Sequence, residues 1–285
     1  MVTGGAIGTI DAPERQVPAE PSPAPSAVAP TPNADPVERI AGYGGQVVVL
    51  SMHRFAWSDV PWAISQMQWS KRPLGRLPSI GFHKLMGTGG GAGFSTRPNL
   101  RVWTILSTWP DGAAALAGIE GAPFRAKAGR AAETATIFLA PLSARGRWAA
   151  ESAFVPADVD PAPDGPIAAL TRATVRPGAL ARFWRRVPSI SATIEGEAAV
   201  RFMIGMGEVP YLHQVTFSIW DDAEAMRRFS RESATHGEAV RRVAEEGWFS
   251  EQLFARFRPL GAVGRWNGRD AAALIAPARS AQAAA

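Results

Sequence analysis

The sequence predicts an α+β fold: two tandem copies of the ferredoxin-like β-α-β-β-α-β unit, each an antiparallel sheet with helices on one face, the sheets packed face to face. Strand-like and helix-like stretches alternate in that order twice. Short landmarks also recur between the halves: LPSI at 77–80 with VPSI at 187–190, TWPD at 108–111 with IWDD at 219–222, and GRW at 146–148 with GRW at 264–266. The distance from the Pro-Ser pair to the Trp-Asp turn is about thirty residues in both halves, so spacing and letters agree.

Residues 1–45 are rich in Pro, Ala, Gly and Ser and include VPAEPSPAPSAVAPTPNADP, which carries too little apolar surface to offset chain entropy; this is an expected disordered tail. The first repeat is expected over 46–154. VVVLSMHRF is a strand, PWAISQMQW a short helix, and GRLPSIGFHKLMG ends in a strand. GTGGGAG at 87–93 looks like a phosphate loop, but RVWTILSTW behind it is a strand rather than a helix, which makes it a hairpin loop. GAAALAGIEGAPFRAKAG is a helix interrupted by glycines and Pro123, and TATIFLAPL is the closing strand.

A Pro-rich linker at 155–166 leads to the second repeat, 167–268, with a flexible Ala-rich tail expected at 269–285. IAALTRATV, VRFMIGMGEV, LHQVTFSIW and LFARFRPLGAVGRW read as strands, and ALARFWRRV as a helix. In LHQVTFSIW, His213, Val215, Phe217 and Ile219 share one face, with Gln214, Thr216 and Ser218 on the other. Asp221 and Asp222 can cap a helix that starts near Ala223, with Glu224 at the positive end of its dipole. The inward stripe of that helix is Met226, Phe229, Ser233, His236, Val240 and Val243. His236, beside the small Ser233, Ala234 and Gly237, is either a hydrogen-bonded core histidine or a ligand to something flat that approaches the helix. Counted from the paired tryptophans, its first-half counterpart is Phe124 or Arg125.

Composition narrows the chemistry. The chain has no cysteine, so thiolate-ligated heme, iron–sulfur clusters, zinc–cysteine sites, disulfides and a cysteine nucleophile are all excluded. A metal or heme would be held by His, Asp, Glu, Tyr or Met. The net charge of +5 suits solvated surface, an acidic partner or an anionic membrane face. The arginines are scattered among acids with no basic run interleaved with aromatics, which argues against nucleic acid. No apolar run is long enough to span a bilayer, and MVTGGAIGTIDAPER lacks a secretory signal, so the expected location is the cytoplasm or the membrane surface.

The segments LPSIGFHKLMGTGGGAGF, TIFLAPLSARGRW, LTRATVR, FWRRVPSIS, IGMGEVPYLHQVTFSIW and GWFSEQLFARFRPL together resemble the spheroidene monooxygenase family of carotenoid biosynthesis, over residues 46–268. The resemblance implies a heme-dependent monooxygenase that uses O2 and electrons from reduced ferredoxin to oxidise C-2 of an acyclic carotenoid to a ketone. The strand, Trp-Asp turn and helix ending in His are similar, more distantly, to heme-binding members of the dimeric α+β barrel superfamily. That likeness implies His236 as axial ligand to heme b iron, with Met226, Phe229, Ser233 and Gly237 around the cofactor.

A neutral imidazole lacks a thiolate's electron donation, so polar assistance is expected from the other side of the cofactor. Arg172, on a strand face with Leu170 and Thr174, is the candidate; it could equally pair with a surface carboxylate. His213 is either a second pocket residue and alternative axial ligand or a hydrogen-bonded strand-end histidine. His53 and His83 are expected to be structural. Met203, Met206, Met226 and the tryptophans suit a polyene channel or plain core. Arg227, Arg228, Arg231, Arg241 and Arg242 suit an acidic ferredoxin or a solvated helix face. Other heme chemistry on the same scaffold, such as aldoxime dehydration, and a non-catalytic heme or lipid carrier are the alternatives; homo-oligomer formation is open.

Overall fold

The computed structural model describes residues 35–91, 95, 97–157, 165–232 and 246–276, the side chains of 188–193, 195 and 232 excepted. A short helix α1 (Pro36–Ala41) precedes β1 (Val47–Arg54), α2 (Val60–Trp69), α3 (Lys71–Leu74), β2 (His83–Gly89), β3 (Pro98–Trp109), α4 (Gly112–Ile119), α5 (Ala122–Ala128) and β4 (Glu133–Gly146). The second half runs β5 (Ile167–Val175), α6 (Leu180–Glu195), β6 (Val200–Gly207), β7 (His213–Trp220), α7 (Ala223–Glu232) and β8 (Phe249–Trp266). A two-residue strand β9 (Arg269–Asp270) and a 3-10 turn at Ala271–Leu274 follow.

The strand order is β4-β1-β3-β2-β6-β7-β5-β8-β9, every pairing is antiparallel, and β8 returns to pair with β4. The two expected antiparallel sheets join at their edges, and the sheet closes into a barrel. The two seams differ greatly. β4 and β8 pair from Ala135↔Gly264 to Gly146↔Leu253, whereas β2 and β6 share only Gly87↔Gly207 and Thr88↔Met206.

Closure explains the strand composition. Val48, Leu50 and Met52 point into the barrel with Leu170, Val215, Phe217 and Phe257, while Val47 and Val49 point outward beneath α1, α4 and α5 with Ile40, Ala115 and Phe124. Both faces of β1 are buried, so its sequence reads as an unbroken apolar run, VVVL, rather than as an alternation. In the second half α7 packs outside on Ile167 and Trp220, and α6 outside on Val175 and Trp248.

Two expected boundaries move. The predicted tail at 1–45 ends earlier, because Asp35 caps α1 and Ile40 is fully buried against β8 and the turn before α4. The predicted tail at 269–285 begins later, because Ala271 is fully buried in the barrel interior and its turn packs on β8. Residues 1–34, 158–164 and 277–285 lie outside the described residues.

Candidate functional site

The helix that was expected to carry the site starts where its sequence says. Asp222 accepts the Ala225 N–H at 2.7 Å, and Trp220 donates its indole N–H to Ser218 Oγ at 2.9 Å. The first half repeats both contacts: Asp111 accepts the Ala114 N–H at 2.7 Å and Trp109 donates to Ser107 Oγ at 3.0 Å. Met226 and Phe229 are buried against Trp220, with Phe229 and Trp220 ring centroids 5.2 Å apart. They form the packed anchor of the helix, pressed against Trp220 just after its cap. Ser233, His236 and Gly237, with Val240, Val243, Arg241 and Arg242, lie outside the described residues.

The sheet beneath that helix differs between the halves at a few positions. On the outer face of the first half, Leu85 and Ile105 are a cross-strand pair, packed in one cluster with Phe124 of α5. The matching pair in the second half, fixed by the shared Met-Gly after it (Met86-Gly87, Met206-Gly207) and by the paired serines, is Gly205 and Thr216. By the count from the paired tryptophans, His236 in the sequence corresponds to Phe124 or Arg125. β5 contributes Ala169, Thr171 and Ala173 to the same face. At this one position the helix-covered face is apolar and filled in one half, and small and polar in the other. Among the described residues, the buried Thr216 Oγ1 has no hydrogen-bond partner.

Arg172 and His213, expected at that site, are elsewhere. Their strand faces carry Leu170 and Val215, which point into the barrel, so they lie across the sheet from α7. Arg172, 2% exposed, pairs with Glu251 and stacks over the Trp148 ring at 5.8 Å. Glu251 also accepts the N–H groups of Ala149 at 3.1 Å and Ala150 at 2.7 Å. Its pKa is lowered: partial burial pushes it up, and those two amides and Arg172 outweigh that.

The arrangement is duplicated at the other end of the β4–β8 seam. Arg54 pairs with Glu133 at 3.2 Å and stacks over the Trp266 ring at 4.6 Å, and Glu133 accepts the N–H groups of Asn267 at 3.2 Å and Gly268 at 2.6 Å. Each Arg–Glu pair grips the Gly-Arg-Trp hairpin of the other half. Both hairpins need their glycine: Gly146 and Gly264 have φ of +94° and +92°, and a Cβ would meet Gln252 O at 2.0 Å or Thr134 O at 2.2 Å. Arg172 is therefore one of two equivalent clasps that fasten the halves together, which matches the reading of it as an arginine paired with a carboxylate.

His213 borders a cleft of about 520 Å³ at the short β2–β6 seam. Its floor is Gly87, Gly89, Gly205 and Gly207, and its walls include Trp103 and Trp184. At the inner end Glu208 accepts the Trp148 indole N–H at 2.7 Å, pairs with Lys84 at 3.3 Å and faces His213 Nδ1 at 3.7 Å. Burial lowers the pKa of His213, opposed by Glu208. His213 is thus a cleft residue beside a carboxylate, on the strand face that carries Val215 into the barrel. The cleft was not read from the sequence. Its signal is the glycine at alternate positions on two strands, Gly87 and Gly89, Gly205 and Gly207, which leaves one strand face bare.

The remaining histidines are placed as expected. His53 is buried on the outer face of the first half, with Nδ1 at 3.2 Å from Thr134 Oγ1, and His83 has Nδ1 at 3.0 Å from Gly81 O. Among the described residues no three His, Asp or Glu side chains cluster as a metal site. Three of the chain's four histidines are thereby placed away from α7, and the fourth, His236, lies outside the described residues.

No family model matches the chain. It is 46% identical to the spheroidene monooxygenase of Rhodobacter capsulatus over 227 residues, covering 79% of this chain and 94% of that protein. Against the spheroidene monooxygenase of Cereibacter sphaeroides it is 43% identical over 242 residues, covering 84% and 74% respectively. In fold it is similar to the crystal structure of aldoxime dehydratase, with a TM-score of 0.51 at 12% identity over 76% of this chain and 82% of that one. With a relative at 46% identity that it covers nearly end to end, the chain belongs to the spheroidene monooxygenase family.

Proposed function

We propose that this protein is a heme-dependent monooxygenase that oxidises C-2 of an acyclic carotenoid to a ketone, taking oxygen from O2 and electrons from reduced ferredoxin. One observation supports the cofactor assignment: the paired Leu85 and Ile105 of the first half have Gly205 and Thr216 at the matching positions of the second, and the sequence of the second half carries a histidine, His236, where the count from the paired tryptophans gives Phe124 or Arg125 in the first. Two large apolar side chains have given way to a bare backbone and a hydroxyl without a described partner, and the sequence adds an imidazole. That donor set fits a flat group carrying iron, in a chain that has no thiolate to offer. The two halves are read as tandem ferredoxin-like units, 46–154 and 167–268 joined by 155–166, in a barrel of the dimeric α+β type; each half's strand order, fourth-first-third-second, supports this.

In this reading His236 holds heme b, with Ser233 and Gly237 giving the ring a close approach to the helix. When bound, the heme supplies O2 activation at its iron. The chain's own residues set the conditions. A neutral imidazole has a nitrogen free for iron, the form an apolar setting favours. Trp220, Met226 and Phe229 fix the helix at its start. Thr216 and Ser218 place hydroxyls on the sheet side of the slot. Arg227, Arg228 and Arg231 on the exposed face of α7 offer charge to an acidic electron donor, though Glu224 pairs with Arg227 at 3.2 Å and Arg231 at 3.7 Å. No helix among the described residues is long and apolar enough to cross a membrane.

The test is an absorption spectrum of the protein purified from heme-replete cells, before and after dithionite and carbon monoxide. A Soret band that shifts with carbon monoxide and is lost in His236→Ala is expected. A colourless, iron-free protein would refute the assignment. Turnover of an acyclic carotenoid that stops without O2 separates this chemistry from aldoxime dehydration and from a carrier.

A further inference from the structure

We propose that the cleft at the β2–β6 seam binds the extended polyene chain of the substrate and leads it to the outer face of the second half; this rests on the function proposed above. At about 520 Å³ the cleft is of ligand size, within the roughly 300–1,000 Å³ of typical sites. Its shape selects a flat, rigid, apolar chain. The floor is main chain, because Gly87, Gly89, Gly205 and Gly207 present no side chains. Trp103 lies against that floor, so close that a Cβ on Gly87 would come within 3.2 Å of its ring.

Both wall indoles have used their polar edge. Trp103 donates to Leu100 O at 2.7 Å and Trp184 to Tyr211 O at 3.2 Å, which leaves ring faces for the ligand. A conjugated chain loses little conformational freedom on entering such a slot, unlike a flexible lipid tail. Position gives the second argument. Gly205 is a floor residue of the cleft and also the residue that replaces the first half's Leu85 beneath the helix, and Gln214 lies one step along the same strand face from Thr216. The cleft and the slot assigned to the cofactor are therefore continuous along one surface. The rim toward solvent is apolar as well, with Leu100 38% and Tyr211 49% exposed.

The experiment titrates the full-length protein with lycopene, delivered from cyclodextrin, and follows the circular dichroism induced in the polyene band. Leu100→Asp sets a carboxylate at the rim without touching the core, and Trp184→Ala removes a wall. Each is expected to weaken lycopene binding by about tenfold or more and to leave the Soret band unchanged. Unchanged affinity in both variants overturns the proposal. So does a wild-type protein that binds no lycopene until residues 1–34 are deleted, since the chain itself then fills the cleft. A dimer that Leu100→Asp dissociates, with no lycopene binding, makes the occupant a second copy and also overturns it. The two proposals fail separately: a protein without heme can still bind lycopene in a rim-dependent way, and one with a normal Soret band can fail to.

Discussion

Replacing Arg172 by methionine separates a clasp from a catalytic group. The side chain is 2% exposed, and its partner Glu251 is 25% exposed. Breaking a fully buried ion pair costs about 3–5 kcal/mol because a charge is stranded. Glu251 is not stranded: it keeps the Ala149 and Ala150 amides and some water, and the change also removes the Arg172 Nε that has no described partner. These offsets bring the expected loss to about 2 kcal/mol, or roughly 4–8 °C in Tm for a folded region of this size. The equivalent change at Arg54, where the pair is 29% and 19% exposed, should cost less than about 1 kcal/mol.

Thermal unfolding followed by far-ultraviolet circular dichroism gives both numbers, and carotenoid turnover is measured well below either midpoint. A clasp predicts that Arg172→Met melts early yet turns over normally per folded molecule. If Arg172→Met melts with the wild type and has lost turnover, the side chain acts on the reaction and the symmetry with Arg54 is incidental.

Thr216→Val removes the hydroxyl without a described partner at constant size, and is expected to raise stability by about 1 kcal/mol while heme is retained; Thr216→Ile, which restores the first half's residue, should reduce heme content. Urea midpoints and Soret absorbance check both, and a Thr216→Val protein that is less stable would mean the hydroxyl has a partner. His53, fully buried beside Lys127, has its pKa lowered from 6.5 to about 3, by burial first and by Lys127 second. Its folded pKa lies below its unfolded one, so its contribution is complete above pH 6.5 and is lost as pH falls toward 3. Urea midpoints across that window should fall more steeply for wild type than for His53→Gln, and parallel curves would show that burial does not hold His53 neutral.

Strand faces were legible because side chains alternate with period two, and the α7 cap because Asp222 precedes a helical stripe. What alternation could not give was which face of a strand looks into the barrel. Both faces of β5 and β7 are covered, one by the opposite wall and one by helices, so Leu170 and Ala169 are apolar alike. Arg172 was put on the Leu170 face, and only the closed barrel shows that this face looks inward. The clasp was hidden for another reason. Arg54 and Arg172 lie far in sequence from the hairpins they hold, and only the closed β4–β8 seam brings Trp266 to one and Trp148 to the other. The cleft depends likewise on a seam of two residue pairs, a register that no local pattern specifies.

Duplication makes the difference between the halves informative about stability as well as about the site. Each half needs its helix-covered face filled, and the first half fills it with Leu85, Ile105 and Phe124, all buried. Changing a buried Leu or Ile to a small residue costs about 2–5 kcal/mol when nothing takes the space. The second half carries two such exchanges in one place, Gly205 and Thr216, a sizeable share of the 5–15 kcal/mol that holds a domain together. Such a face is tolerable if an occupant restores the contacts, and an occupant that binds only the folded chain stabilises it in proportion to the logarithm of its occupancy. Hemin added back to heme-stripped protein is therefore expected to raise Tm by several degrees, and by much less in His236→Ala. Equal melting of the stripped and hemin-loaded wild type would mean that the second half's face is already filled by its own chain, and the exchange of Leu85 and Ile105 for Gly205 and Thr216 would have no bearing on a cofactor.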